Sequence, residues 1–175
     1  MNELEKLINE VSVARNHFIE TASKISEEKA QLKPSPDAWS ASEIVEHICW
    51  AEVSGTIGML KALQAHKEGR KIFDGEVIHQ GLSVEEIVER TWKPKEIVPP
   101  IAAPRFGGPI AYWINFLANL QNSLEDLGKK LVGIDLASIQ YPHPISGPMD
   151  IRQRLQFLRF HLDRHRNQLI ELELF

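Results

Sequence analysis

The chain has 175 residues, 43 % of them hydrophobic and 25 % charged, which fits one globular domain spanning 1–175 with a core of its own. Its net charge of −4 comes from interspersed acids and bases, and no basic face is present to recruit nucleic acid. A lone cysteine, Cys49, excludes a disulfide framework and suits a reducing cytoplasm, and no apolar run approaches the ~20 residues of a membrane span.

The N-terminus is charged and amphipathic, unlike a signal peptide. Leu4, Leu7, Ile8, Val11, Ala14, Phe18, Ala22 and Ile25 recur at three and four residues and predict a first helix from about Asn2 to Ser26. Glu3, Lys6, Glu10, Arg15 and Glu20 fall outside that stripe, and His17, on its flank beside Phe18, reads as a solvated or hydrogen-bonded histidine. Pro34 and Pro36 interrupt any continuation. Ser40 and Glu43 have the S-x-x-E form of a capping box, so a second helix is expected from about Ala41, fading near His66. Ile44, His47, Ile48, Ala51, Val53, Ile57 and Leu60 lie along it, with His47 on the inward side.

Residues 67–108 are too many and too punctuated for a turn. A short helix is expected at Ser83–Arg90, again opened by S-x-x-E. Trp92-Lys93-Pro94, Pro99-Pro100, Pro104 and Gly107-Gly108-Pro109 read as loop. A long connection lets the helices it joins run parallel, so the segment reads first as a crossover strap and second as a lid. The third helix is expected over Ile110–Val132, with Trp113, Phe116, Leu117, Leu120, Leu124, Leu127 and Leu131 on one stripe. After a loop containing Tyr141-Pro142-His143-Pro144, Gly147 and Pro148 read as the N-cap and first residue of a last helix that runs to the C-terminus. His143, between two prolines, reads as a positioning residue.

The last helix carries the most informative pattern. Leu155, Leu158, Leu162, Leu169 and Leu172 form its apolar stripe, His165 falls where that stripe would be interrupted, and His161 lies one turn earlier at its edge. Residues four apart have Cβ atoms about 5–6 Å apart, so both imidazoles can reach one metal ion at ~2.0–2.1 Å. A catalytic tetrahedral site usually takes a third protein ligand, and His47 is the natural one. Four helices with one long crossover predict an all-α, up-down-down-up four-helix bundle in which helices two and four are antiparallel. That arrangement offsets His47 from His165 by only ~5 Å along the helices, against ~15 Å if they ran parallel.

Pro36-Asp37-Ala38-Trp39-Ser40 leading to Glu46-His47, together with His143-Pro144-Ile145-Ser146-Gly147 and His161-x-x-x-His165-x-x-Gln168, resembles the DinB-like family of four-helix-bundle metalloproteins. The resemblance covers essentially the whole chain. Its wider superfamily includes bacillithiol and mycothiol S-transferases and proteins described as metal-dependent hydrolases. Carried over, the resemblance puts the metal ligands on His47, His161 and His165, and it implies a homodimer paired through helix faces.

Three neutral imidazoles leave positions open on a divalent ion, which lowers the pKa of bound water toward ~7 or takes a thiol as thiolate. The expected cofactor is zinc, nickel, iron or manganese; imidazole also suits copper. Cys49, on a different helical face from His47, reads as a small core residue. Glu43, one turn before His47, is a candidate to orient its ring, and Gln168 a candidate to hydrogen-bond beside the site. No residue stands out as general acid or base. Trp39, Trp50, Tyr112 and Trp113 are candidates to wall an apolar pocket. The expected function is a metal-dependent, thiol-using S-transferase or hydrolase acting on a small molecule; the alternative is a metal-stabilised binding module without catalysis.

Overall fold

The computed structural model describes residues 1–93 and 97–172. Among them are α1 (Glu3–Ala22), α2 (Glu27–Ala30), α3 (Ala41–Lys67), α4 (Val84–Thr91), α5 (Ile110–Leu131) and α6 (Ile151–Glu171), a 3-10 turn at Leu136–Ser138, and no strand. Pro94, expected in loop, and the continuation of the last helix over 173–175 lie outside the described residues. No described helix is long and apolar enough to cross a membrane.

Side-chain caps set most of the helix starts. Asn2 with Glu5, Ser40 with Glu43, Ser83 with Glu86 and Asp150 with Gln153 each form a reciprocal capping box, which satisfies two otherwise orphaned backbone donors. The two S-x-x-E boxes stand where spacing puts them. α5 begins after Pro109 without a side-chain cap from its own loop. Its first free N–H, on Ile110, donates instead to the Glu27 carboxylate of α2 at 3.1 Å.

Two expected boundaries are corrected. α1 stops at Ala22, because the Ser26 side chain caps a separate short helix, α2, by accepting from the Lys29 N–H. Gly147 and Pro148 do not open the last helix. Gly147 takes φ +77°, a left-handed conformation that glycine adopts without penalty, and exchanges backbone hydrogen bonds with His143. Asp150 is the true N-cap of α6, since its carboxylate accepts from the Gln153 N–H, which a glycine cannot do.

The four long helices share one core: α1 packs on α5 and α6, and α3 packs on the same two. Phe18, Ile44, Ile48, Leu117, Leu124, Leu155 and Leu162 are among its fully or nearly fully buried members. The α3–α6 side is closed by Tyr141, whose ring lies so near Gly58 that a Cβ there would come within 1.9 Å of it. The crossover straps one side. Val84 and Ile87 of α4 pack with Met149 and Phe157, and the Gln153 amide donates to the carbonyls of His79 and Leu82.

Arg15 overturns its expected place outside the stripe. α1 is covered by two helices, so its buried sector is wider than the leucine pattern, and Arg15 is 1 % exposed. Its guanidinium donates to Glu52 of α3 and to Gln121 of α5. Burial pushes the Glu52 carboxyl up, and the Arg15 charge opposes that shift. Removing one member of such a pair strands the other charge. Arg15→Met is expected to destabilise the protein by about 3–5 kcal/mol, and Arg15→Met with Glu52→Met to recover most of that loss. Urea unfolding of the single and double variants checks it.

Candidate metal centre

The site begins at the N-terminal end of α3. The Ser40–Glu43 box sets the helix start, and His47 follows in its second turn. The preceding residue, Glu46, is fully buried and accepts from the backbone N–H groups of Arg105, Phe106 and Gly107 at 2.8–2.9 Å and from Trp50 Nε1 at 3.1 Å. Burial alone pushes its carboxyl up, but those donors together outweigh it and hold the group below the usual carboxylate range. Ser42 and Gln31 add hydrogen bonds to the Gly108 carbonyl, and Trp113 Nε1 donates to that of Gly107. The loop so pinned presents the Ala102 carbonyl to His47, whose Nδ1–H donates to it at 2.8 Å.

α6 supplies the other two imidazoles. His165 Nδ1–H donates to Gln168 Oε1 at 2.7 Å, one turn on. His161 stands between, its Nε2 3.2 Å from His47 Nε2 and 3.0 Å from His165 Nε2. Trp39 packs on His47 at 4.9 Å between ring centroids, and Phe157 stacks on His161 at 5.4 Å. The three histidines are 4 %, 7 % and 7 % exposed, and their ligand atoms lie within 4.8 Å of one another.

A divalent ion fits this arrangement. With Nδ1–H committed on both His47 and His165, their Nε2 atoms present bare lone pairs toward His161 and toward each other's side of the cluster. One proton on His161 cannot satisfy both. Donors at ~2.0–2.1 Å from an ion stand ~2.9–3.4 Å apart in octahedral or tetrahedral geometry, the range in which the observed separations fall. Burial is the main force lowering all three pKa values: His47 falls below its ordinary value, His161 well below it, and His165 to about 3. The rings are therefore neutral at pH 7, the form a metal requires.

The remaining candidates separate clearly. Gln168 holds His165 as its spacing allows. Glu43 does not touch His47, because its carboxylate is occupied by the Ser40 N–H and by Lys33 Nζ at 2.7 Å. The Ala102 carbonyl takes the role considered for it. Cys49 is a buried core thiol that donates to the Trp113 carbonyl, and burial pushes its pKa up. His17 is exposed. His143 accepts from the N–H groups of Ile145 and Ser146 and packs on Phe157 at 4.3 Å, outside the triad. Of the four aromatic residues considered as walls, Trp39 alone packs on a triad ring; Trp50, Tyr112 and Trp113 cluster with Phe116 between α3 and α5. Sequence reading assigned no role to Glu46 or Ala102. Glu46 carried a signal, an acid beside an inward histidine on a buried helix; a backbone carbonyl carries none.

The family model of the DinB superfamily matches residues 10–169. The chain belongs to the DinB superfamily. No curated protein matches it. In this member of the superfamily the three histidines, their two Nδ1 acceptors and the pinned loop make one unit.

Two outcomes follow from that unit. His161→Ala is expected to abolish stoichiometric divalent metal while keeping most of the helical circular-dichroism signal, and Gln168→Ala to weaken metal binding about 10–100-fold, both read by metal titration. The metal-free protein is expected to lose stability as pH falls below about 6.5, where unfolded histidines take up protons that the buried rings of His143 and His165, held at about 3, refuse. Above that pH their contribution is level. Chemical denaturation from pH 8 to pH 4 measures the loss.

Proposed function

We propose that this DinB-superfamily protein is a metal-dependent enzyme whose His47, His161 and His165 hold a divalent ion, and that it transfers a small thiol to an electrophilic substrate. The observation that carries the reading is the convergence of three buried, neutral Nε2 atoms. A bound divalent ion supplies a thiol or water nucleophile at neutral pH by lowering its pKa. The chain's own residues keep the donors in place: Ala102 and Gln168 hold the two outer rings in the tautomer that leaves Nε2 free, and Glu46 keeps the Ala102 carbonyl from drifting. Trp39 and Phe157 cover the rings and limit water.

The preference for a thiol rests on the surroundings. Glu43 and Glu46, the acids of α3 nearest His47 in sequence, are spent on caps, Lys33 and loop N–H groups, so neither is free to act as a general base. A thiol, with an ordinary pKa near ~8.5, needs far less help to ionise than water. Hydrolysis is the second reading, favoured by rings so little exposed that water enters most easily.

The proposed setting is a single-domain, up-down-down-up four-helix bundle, homodimeric and cytoplasmic. Several contacts support that order of helix directions. His47 early in α3 meets His165 late in α6, Ser42 reaches the loop that enters α5, Arg166 donates to Thr21 at the end of α1, and Gly128 late in α5 lies against Ile8. Exposed Phe106 and Tyr112 support a paired face near the start of α5.

The deciding assay incubates metal-loaded protein with a cellular thiol and a model electrophile, beside a panel of esters and amides. Thiol-dependent conjugation is expected, with its loss in His165→Ala. Turnover without thiol moves the assignment to hydrolysis, and silence in both moves it to a binding module. Sedimentation is expected to show a dimer.

A further inference from the structure

A buried arginine without an acid stands two turns from the triad. Arg154 of α6 is 5 % exposed, and its guanidinium carbon lies 4.5 Å from the Tyr141 ring centroid and 5.8 Å from that of Phe157. The same Phe157 ring stacks on His161, so guanidinium and triad flank one aromatic side chain. Along α6, Arg154 and His161 are separated by about 10.5 Å at 1.5 Å per residue. Among the described residues no acid pairs with Arg154, and its Nε and Nη1 are buried without a partner. Burial lowers its pKa to about 10, so it remains charged at pH 7. A desolvated cation is costly unless paired, and an aromatic face returns less than a carboxylate does. Arg15, buried as deeply in the same core, has Glu52 and Gln121. Arg154 has no equivalent.

A second observation lies across the interface, on α3. Gly55 sits inside a long helix, where glycine is less favourable than alanine. Its backbone is not in the left-handed region, and a Cβ there would make only ordinary contacts, 3.5 Å to Leu158 Cδ2 and 3.7 Å to Arg154 Nη2. Gly58, one turn on, is required by the Tyr141 ring; nothing in the backbone or packing requires Gly55. What glycine leaves at 55 is about a methyl group's room, against the Nη2 edge of the guanidinium.

We propose that Arg154, with the space left by Gly55, binds a carboxylate, so that the small-molecule ligand of this protein carries one such group about 10 Å from the part that reaches the triad. A single unpaired cation matches one negative charge, and its planar fork matches a planar carboxylate better than a phosphate dianion. The inference rests on the metal-enzyme reading for the far end of the ligand; the carboxylate site itself stands without the ion.

The test uses the full chain, metal-loaded and, separately, after chelation, with butanoate as probe and butanamide as neutral control, followed by thermal shift and calorimetry. Butanoate is expected to raise Tm saturably in both states and butanamide not to. Arg154→Met is expected to weaken butanoate binding about tenfold or more while keeping its metal stoichiometry and raising its own Tm by a few degrees, because an uncompensated charge has been removed. Gly55→Ala is expected to fold, to gain stability and also to lose butanoate affinity. Butanoate binding unchanged in Arg154→Met overturns the proposal. Should that variant fail to fold, Gly55→Ala decides: weakened binding supports the site, unchanged binding refutes it. A wild-type protein that binds butanoate but no metal upholds Arg154 and removes the metal-enzyme reading.

Discussion

Glu46 holds the crossover against α3 by accepting three consecutive backbone N–H groups, from residues 105 to 107, on one buried carboxylate. A carboxylate saturated by donors in this way is stable where an unpaired one is not. Its effect is felt next door. His47 has a fixed tautomer because Ala102 is fixed, and Ala102 is fixed because the loop that follows it is anchored. The crossover, read first as a strap, is held on α3 as one and also supplies the acceptor that orients His47.

The triad combines two kinds of constraint. On α6, His161 and His165 meet because helical geometry brings residues four apart together, whatever the rest of the chain does. Their meeting with His47 requires α3 and α6 to pack at one relative height, which the core sets through residues such as Ile44, Ile48, Leu158 and Leu162. Burial then does chemical work. The environment that excludes water also keeps the three rings neutral, so the donor set is ready at pH values where free histidine would be partly protonated.

The interior treats its two buried arginines differently. Arg15 is enclosed with an acid and an amide from two other helices and ties α1, α3 and α5 together. Arg154 lies between Tyr141 and Phe157 beside a glycine, with no acid among the described residues. Proteins of this size tolerate few uncompensated buried charges, because net stability is only about 5–15 kcal/mol. One that persists beside a donor cluster points toward ligand binding.

Local patterns in the chain determined much of this. Helical spacing and the Ser40 and Ser83 boxes located α3, α4 and α5 to within a residue or two, since caps and periodicity depend on neighbours in sequence. The pair His161 and His165, and Gln168 beside it, were legible for the same reason. Glu43 stood as both a cap and a candidate to orient the ring; its carboxylate serves the cap and Lys33, and the His47 Nδ1–H goes to Ala102 instead. The start of α6 was misplaced because Gly147 closes a turn back onto His143, a pairing invisible to a helix signature. Tertiary structure alone decided that Arg15 and Arg154 are interior, that Glu46 anchors the crossover, and that a carbonyl at Ala102 completes His47. Each of these depends on which helix face ends up covered and on backbone groups far apart in sequence, and no residue type in the chain announces either.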